Sequence, residues 1–180
     1  MHSESEITVL VVDDDSLLRI GLVTLLENEA GWNVVGQACD GEAACQLALR
    51  LKPRVVVMDL HMPGMNGIAA TRRIKNALPN TKVVIVSASD DIEDIAEAIS
   101  AGMDGYCLKS TNGRGLLRAI RTVVSGSAWV DPELAEKVLH AESLLHARTA
   151  GEDTTGGINL IIEDDSTALP SCSEAEDTRE

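Results

Sequence analysis

The sequence predicts an α/β fold: a doubly wound, five-stranded parallel sheet with helices on both faces. Three observations carry that expectation. Short apolar runs alternate with amphipathic stretches from residue 7 to residue 126. The runs are almost unbroken in Val, Ile and Leu, as strands covered on both faces require. Apolar residues make up 44% of the chain, yet aromatics only 2% with no Phe, so aliphatic side chains must fill the core.

Taken in order, the first strand is Ile7–Val12, followed by a helical stretch over Ser16–Asn28 that Asp15 or Ser16 would cap. Asn33–Gly36 and the helix Gly41–Leu51 come next, then Val55–Met58 with Gly67–Ala77. Lys82–Val86 leads to Ile92–Ala101, and Gly105–Leu108 leads to Gly113–Val124. In that last stretch Leu116, Leu117, Ile120, Val123 and Val124 fall at the spacing of a buried helical stripe. Right-handed crossovers wind five such βα units into one sheet, and such sheets bind ligands beyond the carboxyl ends of their strands. A sixth helix is expected over Pro132–Ala147, with Asp131 as N-cap and Pro132 at its first position.

Four segments follow: an N-terminal extension 1–6, the α/β domain 7–126, a C-terminal linker helix within 127–148, and an acidic tail 149–180. Of the chain's 29 Asp+Glu and 15 Lys+Arg, nine and one lie in that tail, whose Gly, Ser and Thr content reads as a solvated, largely disordered segment. Its one apolar island, Ile158-Asn159-Leu160-Ile161-Ile162, is a short strand, a docking segment or an incidental patch. A net charge of -14 disfavours nucleic acid and acidic membranes as partners. Cys39, Cys45, Cys107 and Cys172 follow no ligand spacing, and the acidic start Met1-His2-Ser3-Glu4-Ser5-Glu6 resembles no secretion signal. Free thiols in a cytoplasmic, soluble protein are the expectation. Basic residues gather on two helices (Arg72, Arg73, Lys75; Arg114, Arg118, Arg121), either as solvated faces or as a surface for an acidic partner, the tail included.

The chemistry sits where strands stop. The first ends in Asp13-Asp14-Asp15, the third in Asp59, the fourth in Ser87-Ala88 and the fifth in Leu108-Lys109. Each has an ordinary reading alone: the Asp triplet as a helix cap, Asp59 before Met62-Pro63-Gly64 as turn chemistry, Lys109 as a surface residue. Their coincidence at successive strand ends argues for one site. Two carboxylates about 5 Å apart repel by roughly 3 kcal/mol at an effective dielectric near 20, so three together call for a cation. Mg²⁺ suits two or three carboxylates completed by waters and a phosphate. Asp59 stands alone on a central strand and is the candidate nucleophile toward phosphorus; Asp13 and Asp14 are candidate metal ligands. Lys109 supplies a mobile positive charge and Ser87 a hydroxyl donor.

At these residues the chain resembles the receiver domain of two-component response regulators. The resemblance rests on Val11-Val12-Asp13-Asp14, Met58-Asp59-Leu60-His61-Met62-Pro63-Gly64-Met65-Asn66-Gly67, Val86-Ser87-Ala88 and Gly105-Tyr106-Cys107-Leu108-Lys109. It implies the flavodoxin-like strand order 2-1-3-4-5 and phosphorylation of Asp59 by a histidine kinase or histidine phosphotransferase. It further implies Mg²⁺ held by Asp13, Asp14, Asp59 and the backbone carbonyl of His61. Ser87 falls at the hydroxyl switch, Lys109 at the conserved-type lysine, Tyr106 at an aromatic that turns inward on phosphorylation, and Ala88 at a position kept small for access. Trp32 to Ala38, Asp40-Gly41, and Gly126 to Pro132 resemble the NarL/FixJ subfamily, whose helix-turn-helix domain has no counterpart in residues 149–180. Ser110 stands where many receivers have Pro.

The expectation is a phosphorylation-activated switch that signals by protein–protein contact, to an effector or a second copy, without binding DNA or membrane itself. The alternative is a NarL-type transcriptional regulator that has lost its DNA-binding domain or acts on DNA through a partner subunit. A phosphatase acting on external substrates would need a second Asp two residues after the nucleophile. Position 61 is His, so no enzyme activity beyond self-phosphorylation and autodephosphorylation is expected.

Overall fold

Alternation within each strand decides which face of the sheet a side chain reaches. In β1 (Ile7–Val12), Val9 and Val11 point to one face and Leu10 and Val12 to the other, all fully or almost fully buried. The same division holds in β3 (Val55–Asp59), where Val55 and Val57 part from Val56 and Met58. A computed structural model describes residues 6–135, 137–139 and, for the backbone alone, 160–161.

The other strands are β2 (Trp32–Ala38), β4 (Lys82–Ser87), β5 (Gly105–Leu108), β6 (Ala128–Val130) and β7 (Leu160–Ile161). They form one parallel sheet in the order β2-β1-β3-β4-β5-β6-β7. The first five follow the expected order. The two extra strands correct the expected count. Ala128-Trp129-Val130 is too short to show a period in sequence, and only pairing of Trp129 with Gly105 and Val130 with Tyr106 makes it a strand. β7 realises the strand reading of the tail's apolar island, with Leu160 opposite Ala128 and Ile161 opposite Trp129.

One face is covered by α2 (Gly41–Leu51), α3 (Gly67–Ala77) and α4 (Ile92–Ser100), through Ala44, Ala48, Ile68, Ile74, Ile95 and Ala98. The other is covered by α1 (Ser16–Glu27) and α5 (Gly113–Val124), through Leu22, Leu26, Leu116, Ile120 and Val123. The helices begin at the carboxyl edge of the sheet, and most begin with a side-chain cap. Asp15 accepts from Leu17 and Leu18 N, Asp40 from Ala43 N, Asn66 from Ala69 N and Asn112 from Gly115 N. Only the start of the expected sixth helix lies within the described residues. Asp131 accepts from Glu133 N ahead of a 3₁₀ turn at Pro132–Leu134, and residues 135 and 137–139 are helical. Cys172 and most of the tail fall outside the described residues. Cys39, Cys45 and Cys107 are free thiols. Among the described residues no helix is long and apolar enough to cross a membrane.

Candidate functional site: the carboxyl edge of the sheet

Because β1, β3, β4 and β5 lie side by side and run parallel, the residues at or just past their last positions share one crevice. Asp13, Asp59 and Ser87 are buried there, at 1%, 3% and 0% exposure, while Asp14 is exposed on the lip. One ligand atom from each of Asp13, Asp14 and Asp59 fits within 4.8 Å. Lys109 reaches in from the end of β5, its Nζ 3.1 Å from Asp13 Oδ2 and 3.1 Å from Asp59 Oδ2.

This balance is electrostatically short of positive charge: three carboxylates face one ammonium. Burial pushes the Asp59 carboxyl above its ordinary range, against the opposing pull of Lys109, and the Asp13 charge adds to the rise. For Lys109, burial alone would lower the ammonium, but hydrogen bonds and charges of Asp59 and Asp13 outweigh it and the net shift is upward. Asp13 Oδ1 is engaged by Asp15 N at 2.8 Å, while its buried Oδ2 has the Lys109 ammonium, which it shares with Asp59. A buried carboxylate oxygen that shares its one cation, with two further carboxylates in reach, belongs to a donor set that fits a hard divalent cation.

Ser87, Ala88, Tyr106 and His61 stand at or beside the same strand ends. Ser87 Oγ accepts from Ser89 N at 3.0 Å and sits beside the Tyr106 hydroxyl. Tyr106 itself is inward and fully buried, its hydroxyl donating to Ser89 O at 2.9 Å. The resemblance implies a ring that turns inward on phosphorylation; here the ring already occupies the inward position, since its hydroxyl finds an acceptor there. Burial raises that phenol to about 12. Ala88 is exposed at the crevice mouth. The backbone of His61 follows Asp59 in the β3–α3 loop, while its exposed side chain lies 3.5 Å from Asp94 on α4. The two basic helix faces are partly occupied from within: Arg73 pairs with Glu42, Lys75 with Asp104 and Arg121 with Glu29, and Arg118 and Arg121 stack over Trp129 and Trp32.

Several contributors escaped the sequence reading. A Cβ on Gly67 would lie 2.0 Å from the backbone oxygen of Asp59, so only glycine lets α3 begin directly beneath that residue. Asp94 accepts from Ser89 Oγ at 2.6 Å, tying α4 to the loop that also receives Tyr106. Asp131 accepts from the Thr111 hydroxyl just past Lys109. A glycine standing before an amphipathic run was one legible signal; Asp131 was legible only as a helix cap, and Asp94 looks like any surface acid in sequence.

A family model of the response regulator receiver domain matches residues 9–121. Among curated relatives, the response regulator GacA of Pseudomonas aeruginosa is 39% identical over 132 residues, covering 73% of this chain and 62% of its own. The transcriptional regulatory protein DegU of Brevibacillus brevis is 32% identical, with 76% and 58% covered. The chain thus spans about three-fifths of the length of these relatives. Among solved structures, a LuxR-family two-component response regulator from Aurantimonas superposes with a TM-score of 0.72 at 31% identity, over 77% of this chain and 99% of that one. The receiver domain of the putative response regulator NarL from Mycobacterium tuberculosis gives 0.65 at 33% identity, over 68% and 98%. With its strand order, its crevice and relatives drawn from NarL/LuxR-type regulators, the chain belongs to the response regulator receiver domain family.

Proposed function

We propose that Asp59 is the phosphoryl acceptor of a two-component switch whose input is a histidine kinase or a histidine phosphotransferase. The observation that carries this reading is the charge deficit at the carboxyl edge, where buried Asp59 shares one ammonium with Asp13. In the transfer, an Asp59 oxygen attacks phosphorus as the P–N bond of a phosphohistidine breaks. The imidazole leaves with that electron pair and takes up a proton, and Asp59 becomes an acyl phosphate. Asp13, Asp14, Asp59 and the His61 carbonyl would hold Mg²⁺, which would supply charge neutralisation for the phosphoryl oxygens. Lys109 orients one phosphoryl oxygen by charge, and Ser87 donates its hydroxyl to another. Ala88 leaves the approach open.

Output follows from the switch residues. Drawing Ser87 toward a phosphoryl group changes its contacts with Ser89 N and the Tyr106 hydroxyl, and with them the packing of β4, β5 and the start of α4. The altered face of α4, β5 and α5 would meet an effector or a second copy of the chain, in the cytoplasm, with DNA contact absent from the chain itself. On this reading the receiver spans 7–126, the segment 127–148 adds β6 to its sheet before the linker helix, and the acidic tail is 149–180. A second reading is favoured by the name of one relative, a transcriptional regulatory protein: the same receiver serves a regulator that reaches DNA through further chain or a partner subunit. Anisotropy titrations at about 50–150 mM salt check what the two share, since saturable sequence-selective binding by this chain alone would contradict both.

The test of the site is phosphorylation by acetyl phosphate with Mg²⁺, read by intact mass. One phosphoryl group is expected on the native chain and none on Asp59→Asn. Equal labelling of the variant would remove Asp59 from the role.

A further inference from the structure

The outer edge of β6 is the place where the sheet meets chain from outside the α/β domain. β6 is bound to β5 by Trp129 N donating to Asp104 O at 3.0 Å and Asp131 N donating to Tyr106 O at 2.9 Å. Successive amides of a strand point to alternate edges, so the N–H groups of Ala128 and Val130 face away from β5. Leu160–Ile161 pairs in parallel along that side. An uncovered edge of this kind is a template for a second chain.

We propose that the outer edge of β6 is a strand-addition site, and that the chain fills it in cis with Leu160–Ile161 to keep a second copy from pairing there. Three features support the choice of occupant. The paired residues belong to Ile158-Asn159-Leu160-Ile161-Ile162, an apolar run in an otherwise acidic tail with Gly156-Gly157 before it and Glu163-Asp164-Asp165 after it. Charges placed beside an apolar strand discourage it from stacking with copies of itself. A tethered strand also competes at an effective concentration on the order of millimolar, above that of a free chain at micromolar concentration. β6 pairs with β5 at Tyr106 itself, so the added strand lies two strands from the aromatic of the switch. The site would accept an extended apolar segment through main-chain hydrogen bonds, as in other strand additions. This inference is independent of which residue accepts the phosphoryl group.

The test uses the full chain and the double variant Leu160→Pro/Ile161→Pro, which removes the one amide of the pair that faces β6 and disfavours strand pairing at both residues. Amide hydrogen exchange is read residue by residue by NMR, with Val57 and Val84 in central strands as controls for the fold. In the variant, exchange at Val130 should rise on the order of tenfold, while Trp129 and Asp131, bonded to β5, keep their native rates. Sedimentation should show the variant associating more strongly with rising concentration than the native chain. Ile161→Val, which keeps the donor and the strand preference, should leave Val130 protected. Unchanged exchange at Val130 in the proline variant would overturn the proposal. So would native protection at Val130 that fades on dilution, because the edge would then be paired with a second copy.

Discussion

The two ends of the sheet each gather lysine and aspartate, and they balance them in opposite ways. At the amino edge Asp104 receives Lys75 Nζ at 2.9 Å, Lys82 Nζ at 2.8 Å and the backbone N of Val83 at 2.9 Å. Lys75 additionally donates to the carbonyl of Thr81, whose own hydroxyl holds Pro53 O. One carboxylate thus has two ammoniums and an amide, and nothing is left for a ligand to supply. At the carboxyl edge one ammonium serves two buried carboxylates with a third on the lip, so each carboxylate has less than one cation to itself. A saturated cluster staples α3 and β4 to the turn before β5. An unsaturated one stores a demand for positive charge, which is what a site for a cation and a phosphoryl group needs.

Breaking the saturated end should cost the most stability. Asp104→Ala leaves two half-buried ammoniums and the Val83 amide without their acceptor. It should destabilise the fold by about 2–4 kcal/mol, in the range for removing one member of a buried charged network. Chemical denaturation measures the loss, and the Mg²⁺-induced shift in melting temperature should be the same as in the native chain. A cost under about 0.5 kcal/mol would mean that solvent already satisfies those groups.

At the other end the sign reverses. Asp14→Ala removes one of three mutually repelling carboxylates, so without divalent cation it should stabilise the fold by about 1–2 kcal/mol. The same change should shrink the stabilisation by millimolar Mg²⁺ that linkage demands of a metal-binding native state. Equal Mg²⁺-induced shifts in variant and native chain would sink the idea that the carboxyl edge is short of positive charge.

How legible each end was in the sequence follows from what makes it. The carboxyl edge announces itself because strand ends are marked: an unbroken apolar run stops at Asp13 or Asp59, and the polar residue at the break is the candidate site. All five expected strands and their helices form, with ends that move by a residue or two. The amino-edge staple was invisible, since Lys75, Lys82 and Asp104 are ordinary surface types scattered along the chain and meet only when β4 and β5 pair. β6 was missed for a similar reason: three residues carry no period, and pairing with β5 alone defines them. Gly67 has no legible role in the sequence, because its need is a 2.0 Å approach that sequence spacing does not express. The inward Tyr106 was beyond reach as well, its position being fixed by the carbonyl of Ser89, a residue that has no signature of its own.

The smallest expected effect concerns that ring, and it offers a view into the unsaturated end with no mutation at all. The sequence holds a single tyrosine, so tyrosinate absorbance reports Tyr106 alone. In the fold burial raises its ionisation to about 12 from an ordinary 10. The folded state therefore holds the phenolic proton more tightly than the unfolded chain does. Its contribution to stability is complete below pH 10 and is lost as pH rises through about 12. An alkaline titration of the native chain should show little tyrosinate until near pH 12, whereas the chain in denaturant should ionise about two units lower. The same titration places the ring. Ionisation near 10 in the folded protein would mean a solvated ring turned away from Ser89 and would move Tyr106 out of the buried set. A delayed ionisation retained after treatment with acetyl phosphate and Mg²⁺ would show that the ring keeps its inward place through phosphorylation. The conformational signal would then have to travel through Ser87, Ser89 and the start of α4 instead of through an aromatic rotation.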